Sequence, residues 1–217
     1  LRITDHLGRG AKDFVYRVEL TPPKVGLSVS IPRVSRYSQY RQWIVVPRGN
    51  RFASLMTVGR SNFGGDVVLD PQQLPAGITI HAEAMPANAS TMPVVFEAAT
   101  DAPIGGKLIA FTARHADPKQ DIKGGYRNTG DFIRGGPGQS IYWKVDVGQI
   151  PVCVVDEVPF RLEIIEPKVP IVRNGTMQLK IVAHKKEGWD EQINLQMPFR
   201  PPGISATSSI NMPKGKN

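Results

Sequence analysis

Glycine and proline interrupt almost every stretch of this sequence that is long enough to hold three helical turns. Either residue is costly inside a helix, glycine through backbone entropy and proline through its missing N–H and its clash with the preceding turn. What survives between the interruptions is strand pattern. Leu27-Ser28-Val29-Ser30-Ile31 and Phe160-Arg161-Leu162-Glu163-Ile164 alternate apolar and polar residues at period two, and Phe14 to Leu20 alternates from Tyr16 onward. Such alternation turns one set of side chains to a core and the other to water. Further strands are expected at 43–46, 52–58, 67–69, 78–81, 93–98, 107–112, 141–147, 152–155, 177–183 and 204–207, separated by turns such as Pro47-Arg48-Gly49-Asn50 and Pro75-Ala76-Gly77. Many short strands at this spacing predict an all-β sandwich or barrel. The 21 glycines and 19 prolines among 217 residues exceed the usual share. They stay below the roughly 25–30% at which disorder takes over, so they read as turn punctuation in a folded chain. Asp117 to Gly138 departs from the rhythm: it has no apolar period and carries glycine pairs near both ends. It reads as a long hairpin excursion or loop.

The sequence also partly overlays itself when shifted by 126 residues. Gly49 falls on Gly175, Phe63 on Trp189, Val67 on Ile193, Leu69 on Leu195, Pro75 on Pro201, Gly77 on Gly203 and Ile78 on Ile204, and one further step aligns Met85-Pro86 with Met212-Pro213. These are the turn glycines, turn prolines and alternating apolar positions that a shared backbone path demands. The period divides the chain into a tail of a preceding β module at 1–21, a complete sandwich at 22–157 and an incomplete second sandwich at 158–217, which lacks counterparts of the strands at 93–98 and 107–112.

Gly49, Leu55, Arg60, Phe63, Leu69, Leu74-Pro75-Ala76-Gly77-Ile78 and Met85-Pro86, followed by Thr100-Asp101-Ala102-Pro103-Ile104-Gly105, form a pattern that resembles the immunoglobulin-like repeats of large secreted planctomycete-type bacterial proteins. Val158 to Ile164 with Pro170 to Gly175 is similar to the start of a next repeat, and Asp5 with Asp13 to Val18 is similar to the end of a bacterial pre-peptidase C-terminal domain. The second copy departs from the pattern at Arg200-Pro201-Pro202-Gly203. The resemblance implies an immunoglobulin-like β-sandwich in tandem repeat, in a secreted, periplasmic or cell-surface protein. It implies neighbouring domains of the same polypeptide as partners, and it carries over no catalytic residue.

The chemistry-bearing residues point the same way. Gly59-Arg60-Ser61-Asn62-Phe63-Gly64 has its second glycine displaced from the position a nucleophile elbow needs, and no helix is expected after it. His6, His81, His115 and His184 lie far apart in sequence, without the short spacing of a zinc motif. Asp117, Asp121 and Asp131 offer oxygen ligands for calcium, but no Asp-x-Asp-x-Asp-Gly order is present and Lys119, Lys123, Arg127 and Arg134 are interleaved. Cys153, the single cysteine, sits in an apolar strand as a small hydrophobe. No metal or cofactor is therefore expected. The formal net charge is +8, and part of it is concentrated: Arg33, Arg36, Arg41, Arg48 and Arg51 are interleaved with Tyr37, Tyr40 and Trp43. Arginines among aromatics suit an acidic glycan or a cell-surface protein, and Arg36, Tyr37, Tyr40 and Arg41 form the candidate ligand surface. The charge is too dispersed to imply a nucleic-acid partner, and no apolar run is long enough for a membrane-spanning helix. The sequence thus predicts a non-catalytic structural, spacer or adhesion-type module. A carbohydrate- or protein-binding module, or an accessory domain of a secreted hydrolase, is the alternative.

Overall fold

The computed structural model of the chain describes residues 4–35, 42–136 and 140–216, without the side chain of Arg134. The described residues are all-β. The strands are β1 (Gly26–Ser30), β2 (Ile44–Pro47), β3 (Arg51–Ser61), β4 (Val67–Pro71), β5 (Ile78–His81), β6 (Thr91–Ala98), β7 (Gly105–Ile109), β8 (Phe111–His115), β9 (Lys123–Tyr126), β10 (Asn128–Arg134), β11 (Ile141–Val147), β12 (Ile150–Val155), β13 (Phe160–Ile165), β14 (Lys180–Lys185), β15 (Ile193–Gln196) and β16 (Ser209–Met212). Among the described residues no helix is long and apolar enough to cross a membrane.

A seven-stranded sheet of order β4-β8-β9-β1-β3-β6-β5 and a three-stranded sheet of order β2-β12-β7 share one core. The large sheet contributes Val29, Met56, Val94, Phe96 and Phe111, and the small sheet contributes Ile44, Val46, Ile109, Ile150 and Val152, all fully buried. Each such side chain contributes about 1.5–3 kcal/mol by leaving water. β12 runs antiparallel to β7 and parallel to β2. β7 and β8 follow one another with only Ala110 between them, so the chain steps from one sheet to the other within a residue. The strand expected at 107–112 is thus two strands. The glycine-rich stretch is also not a free loop. Its residues form β9, which lies between β8 and β1, and β10, which forms a two-stranded ribbon with β11. β9 needs Gly124, because a Cβ there would lie 1.9 Å from the Leu27 carbonyl oxygen.

Residues 158–216 form two separate pairs, β13 with β14 and β15 with β16, around a small core of Ala183, Ile193 and Met212 with Phe160, Trp189 and Leu195 against it. Local geometries of residues 47–89 recur here. Val67 bridges Met85, and Ile193 pairs with Met212. The Ile78 amide donates to the Pro75 carbonyl at 3.2 Å with Gly77 at φ 77°, and the Ile204 amide to the Pro201 carbonyl at 3.1 Å with Gly203 at φ 83°. Asn62 and Gly188 both take positive φ, at 59° and 78°. The turn at Pro47–Asn50 carries its positive φ on Gly49, and the turn at Val172–Gly175 carries it on Asn174. Backbone geometry therefore matches Gly49 with Asn174, not with Gly175 as identity suggests.

Two expected strands are absent. Phe14 to Leu20 and Ile204 to Thr207 have no ladder partner among the described residues. In the first unit, β5 is a strand because β6 pairs with it.

The two matched turns make a test. Gly77→Ala forces a left-handed residue and also sets a Cβ 2.6 Å from that of Ala102, whereas Gly203→Ala meets nothing within 4 Å. Urea unfolding is expected to show a loss of about 3 kcal/mol or more for the first and about 1 kcal/mol for the second. Equal losses would contradict the packing described.

Candidate functional site

Arg36, Tyr37, Tyr40 and Arg41 lie outside the described residues. The residues on either side of them are attached to β10. Arg33 forks onto Asp131, with Nη1 to Oδ2 at 2.7 Å and Nη2 to Oδ1 at 3.2 Å, and Nη2 also donates to the Thr129 carbonyl. The Asp131 side chain is 2% exposed and that of Arg33 19%. Bidentate geometry at low exposure makes this the strongest kind of charge-assisted pair. On the other side, Gln42 Oε1 accepts from Asn128 Nδ2, which also donates to the Tyr126 hydroxyl at 3.2 Å. The basic segment and the glycine-rich segment, read separately in the sequence, thereby meet at β10.

The other described arginines of the basic segment serve different partners. Arg48 Nε donates to the Ala102 carbonyl at 2.8 Å, and Arg51 Nε to Glu97 at 3.0 Å. The Arg51 hydrogen bond, helped by His81 at 2.9 Å, holds the Glu97 carboxyl below its ordinary pKa. Arg33, Arg48 and Arg51 thus do not form one cationic face. The three loop carboxylates also diverge: Asp117 accepts from the Lys119 amide at 2.9 Å, Asp121 pairs with Lys123 at 2.8 Å and Asp131 with Arg33. Among the described residues no three His, Cys, Asp or Glu gather where a metal ion could be held. His115 Nε2 lies 3.0 Å from the Gly64 carbonyl and His184 pairs with Glu163 at 2.5 Å. Ser61 ends β3 opposite Gly26, and the turn at Asn62 follows it. The Cys153 thiol approaches the Ile44 carbonyl at 3.6 Å.

The feature that sequence reasoning missed is the outer surface of the β10–β11 ribbon. Ile133 pairs with Trp143 and Gly130 with Val145. Alternation therefore gathers Ile133, Trp143, Val145 and Val147 on one face, with Tyr142, Lys144 and Asp146 on the other. All four apolar residues are exposed, Trp143 by 61%, and Phe132 projects from the bulge between Asp131 and Ile133. The alternation of Ile141 to Val147 reveals the strand but not that its apolar face is uncovered. A two-stranded ribbon is marginal alone, so its anchors matter: Arg33 on Asp131, and Arg127 on Asp146 at 2.8 Å. At its base lies an open depression of about 630 Å³ lined by Ser28, Gly59, Arg60, Tyr126, Arg127 and Asp146. Burial raises the pKa of the Tyr126 phenol. Arg60 is occupied there, donating to the carbonyls of Met85, Pro86 and Ala89 at 3.1, 3.1 and 2.8 Å. In residues 158–216 a cation also reaches the corresponding turn, through a carboxylate. Lys185 donates to Asp190 at 2.6 Å and Asp190 accepts from the Gly215 amide at 2.9 Å. The Lys185 hydrogen bond, then that amide, lowers the Asp190 pKa. Chemically, these residues offer contact surface: an aromatic and aliphatic ribbon bordered by charge.

The chain matches no protein-family model, no curated protein and no solved structure.

Asp131→Ala removes the carboxylate that pairs with the Arg33 guanidinium and is expected to cost the ribbon about 3 kcal/mol of local stability. Amide hydrogen exchange followed by mass spectrometry would read this as lost protection in peptides covering 128–147, with β3 and β6 unchanged. Unchanged protection in the ribbon would show that the pair does not hold it.

Proposed function

We propose that this chain is a non-catalytic structural module that spaces or orients other domains of a large extracytoplasmic bacterial protein. In this reading residues 22–157 are an immunoglobulin-like sandwich, 158–217 an incomplete second copy and 1–21 the tail of a preceding β module. The observation that carries the reading is the recurrence of the same turns and the same apolar strand pairing in both parts. The strand order supports the sandwich type. β1-β3-β6-β5 matches the A, B, E, D order of an immunoglobulin-like domain, and β4, β8 with β7, and β12 would be C, F and G, with the departure that β4 and β8 join the A-B-E-D sheet through β9.

The junction suits spacing. Asn50 Nδ2 donates to the Phe160 carbonyl at 2.9 Å, the Lys186 amide to the Pro159 carbonyl at 2.8 Å, and Lys186 Nζ pairs with Glu157. Lys186 thus holds the short connector Val155 to Pro159 at Glu157, and Asn50 holds the first residue of β13 just beyond it. The secreted, periplasmic or cell-surface location rests on the sequence resemblance, as do the neighbouring domains as partners. A second reading is favoured by exposed Phe132, Tyr142 and Trp143: a binding module for an acidic glycan or a cell-surface protein, free-standing or as the accessory domain of a secreted hydrolase.

Small-angle X-ray scattering separates the readings when combined with calorimetry. The spacer reading predicts one extended particle for the full chain, and a broadened distance distribution for the Asn50→Ala, Lys186→Glu double variant. An unchanged distribution would contradict a clasped junction. Saturable binding of an acidic polysaccharide that Trp143→Ala abolishes would establish the second reading instead.

A further inference from the structure

Among the described residues, β14 is paired on one edge only, by β13. β3, whose surrounding turns match, lies between β1 and β6. The difference shows in burial. Leu27 and Val29 of β1, opposite Arg60 and Val58 of β3, are buried. In β13, Leu162 opposite Ala183 is 42% exposed and Ile164 opposite Ile181 is 60% exposed. Among the described residues, 158–216 therefore present a β14 edge without a ladder partner, in a sheet whose apolar face is exposed, a combination that invites an added strand.

The same chain carries a segment with strand pattern that is not in a sheet. Tyr16-Arg17-Val18-Glu19-Leu20 alternates apolar and charged residues, has no ladder partner among the described residues, and exposes Tyr16, Val18 and Leu20, the last by 89%.

We propose that Tyr16 to Leu20 of one copy adds antiparallel to the free edge of β14 in a second copy. With Val18 opposite Ile181, Tyr16 falls opposite Ala183 and Leu20 opposite Leu179, all on the face of Leu162 and Ile164. Arg17 and Glu19 point outward, and Glu19 stands opposite Lys180. The free edge of β14 gains a ladder partner, and Tyr16, Val18 and Leu20 pack beside Ala183, Ile181 and Leu179 on the same face. Donor and acceptor are different surfaces, so each copy offers both. The contact is heterologous, and copies join head to tail into open-ended chains. This inference does not rest on the spacer reading.

Sedimentation velocity of the full chain over a range of concentrations tests it. The expected result is a mass that rises with concentration without a fixed stoichiometry. Val18→Pro removes a strand N–H from a segment outside both cores, so it leaves the circular dichroism unchanged and yields a monomer. Glu19→Lys alone and Lys180→Glu alone each weaken association about fivefold, and the two together restore it. A synthetic peptide of residues 12–21 binds the Val18→Pro chain saturably. A monomer at every concentration overturns the proposal. So does association that Val18→Pro leaves intact, or charge reversal without rescue. Tighter binding by a peptide of residues 91–98 assigns the edge to a different strand and also overturns it.

Discussion

Ile109 and Phe111 are both fully buried, and only Ala110 separates them. Through them β7 and β8 form one path that belongs to both sheets. β7 pairs with β12, and β8 pairs with β4 and β9. Phe111 packs against Phe96 of β6 at 6.4 Å between ring centroids. The step at Ala110 thus carries the chain from one layer to the other and places an aromatic in the shared core on arrival. Everything else in residues 22–157 follows from that closure. β12 can carry β2 on its far edge, β9 can insert between β8 and β1, and the ribbon has a base to grow from.

The contrast with residues 158–216 separates local from non-local causes. Turn chemistry is local, set by a positive φ, a proline and a short backbone bond, and it repeats faithfully at Pro75–Ile78 and Pro201–Ile204. Closure is non-local. It needs partners for β14 and cover for the apolar face of β13, and among the described residues neither is present. The small cluster around Ile193 and Met212 is what strand pairing achieves without closure. Its apolar remainder, from Leu162 to Ile210, stays in contact with water.

This division also explains what the sequence reveals. Strands that alternate and have a ladder partner were legible, whether or not a core covers their apolar side: β1, β5, β11 and β13 fall where the pattern puts them. Tyr16 to Leu20 and Ile204 to Thr207 have the pattern of strands but, among the described residues, no partners that would make them so. β9 was hidden for the opposite reason. Lys123-Gly124-Gly125-Tyr126 has no side-chain period, and its glycines signal loop, yet Gly124 is there because the Leu27 backbone comes too close for any side chain. The candidate ligand residues were read from composition, and Arg36, Tyr37, Tyr40 and Arg41 lie outside the described residues. The attachment of their neighbours Arg33 and Gln42 to β10 depends on contacts 98 and 86 residues apart in sequence, which no local pattern encodes.

The central claim is that the strands from β1 to β9, with β12, close on one core, while among the described residues β13 to β16 gather only a small cluster of their own. Native-state hydrogen exchange on the dilute chain measures this directly. The account predicts that amides of β1, β3, β6 and β12 exchange together through one global opening, with those of β13 to β16 exchanging orders of magnitude faster. Equal, cooperative protection across both parts would contradict it.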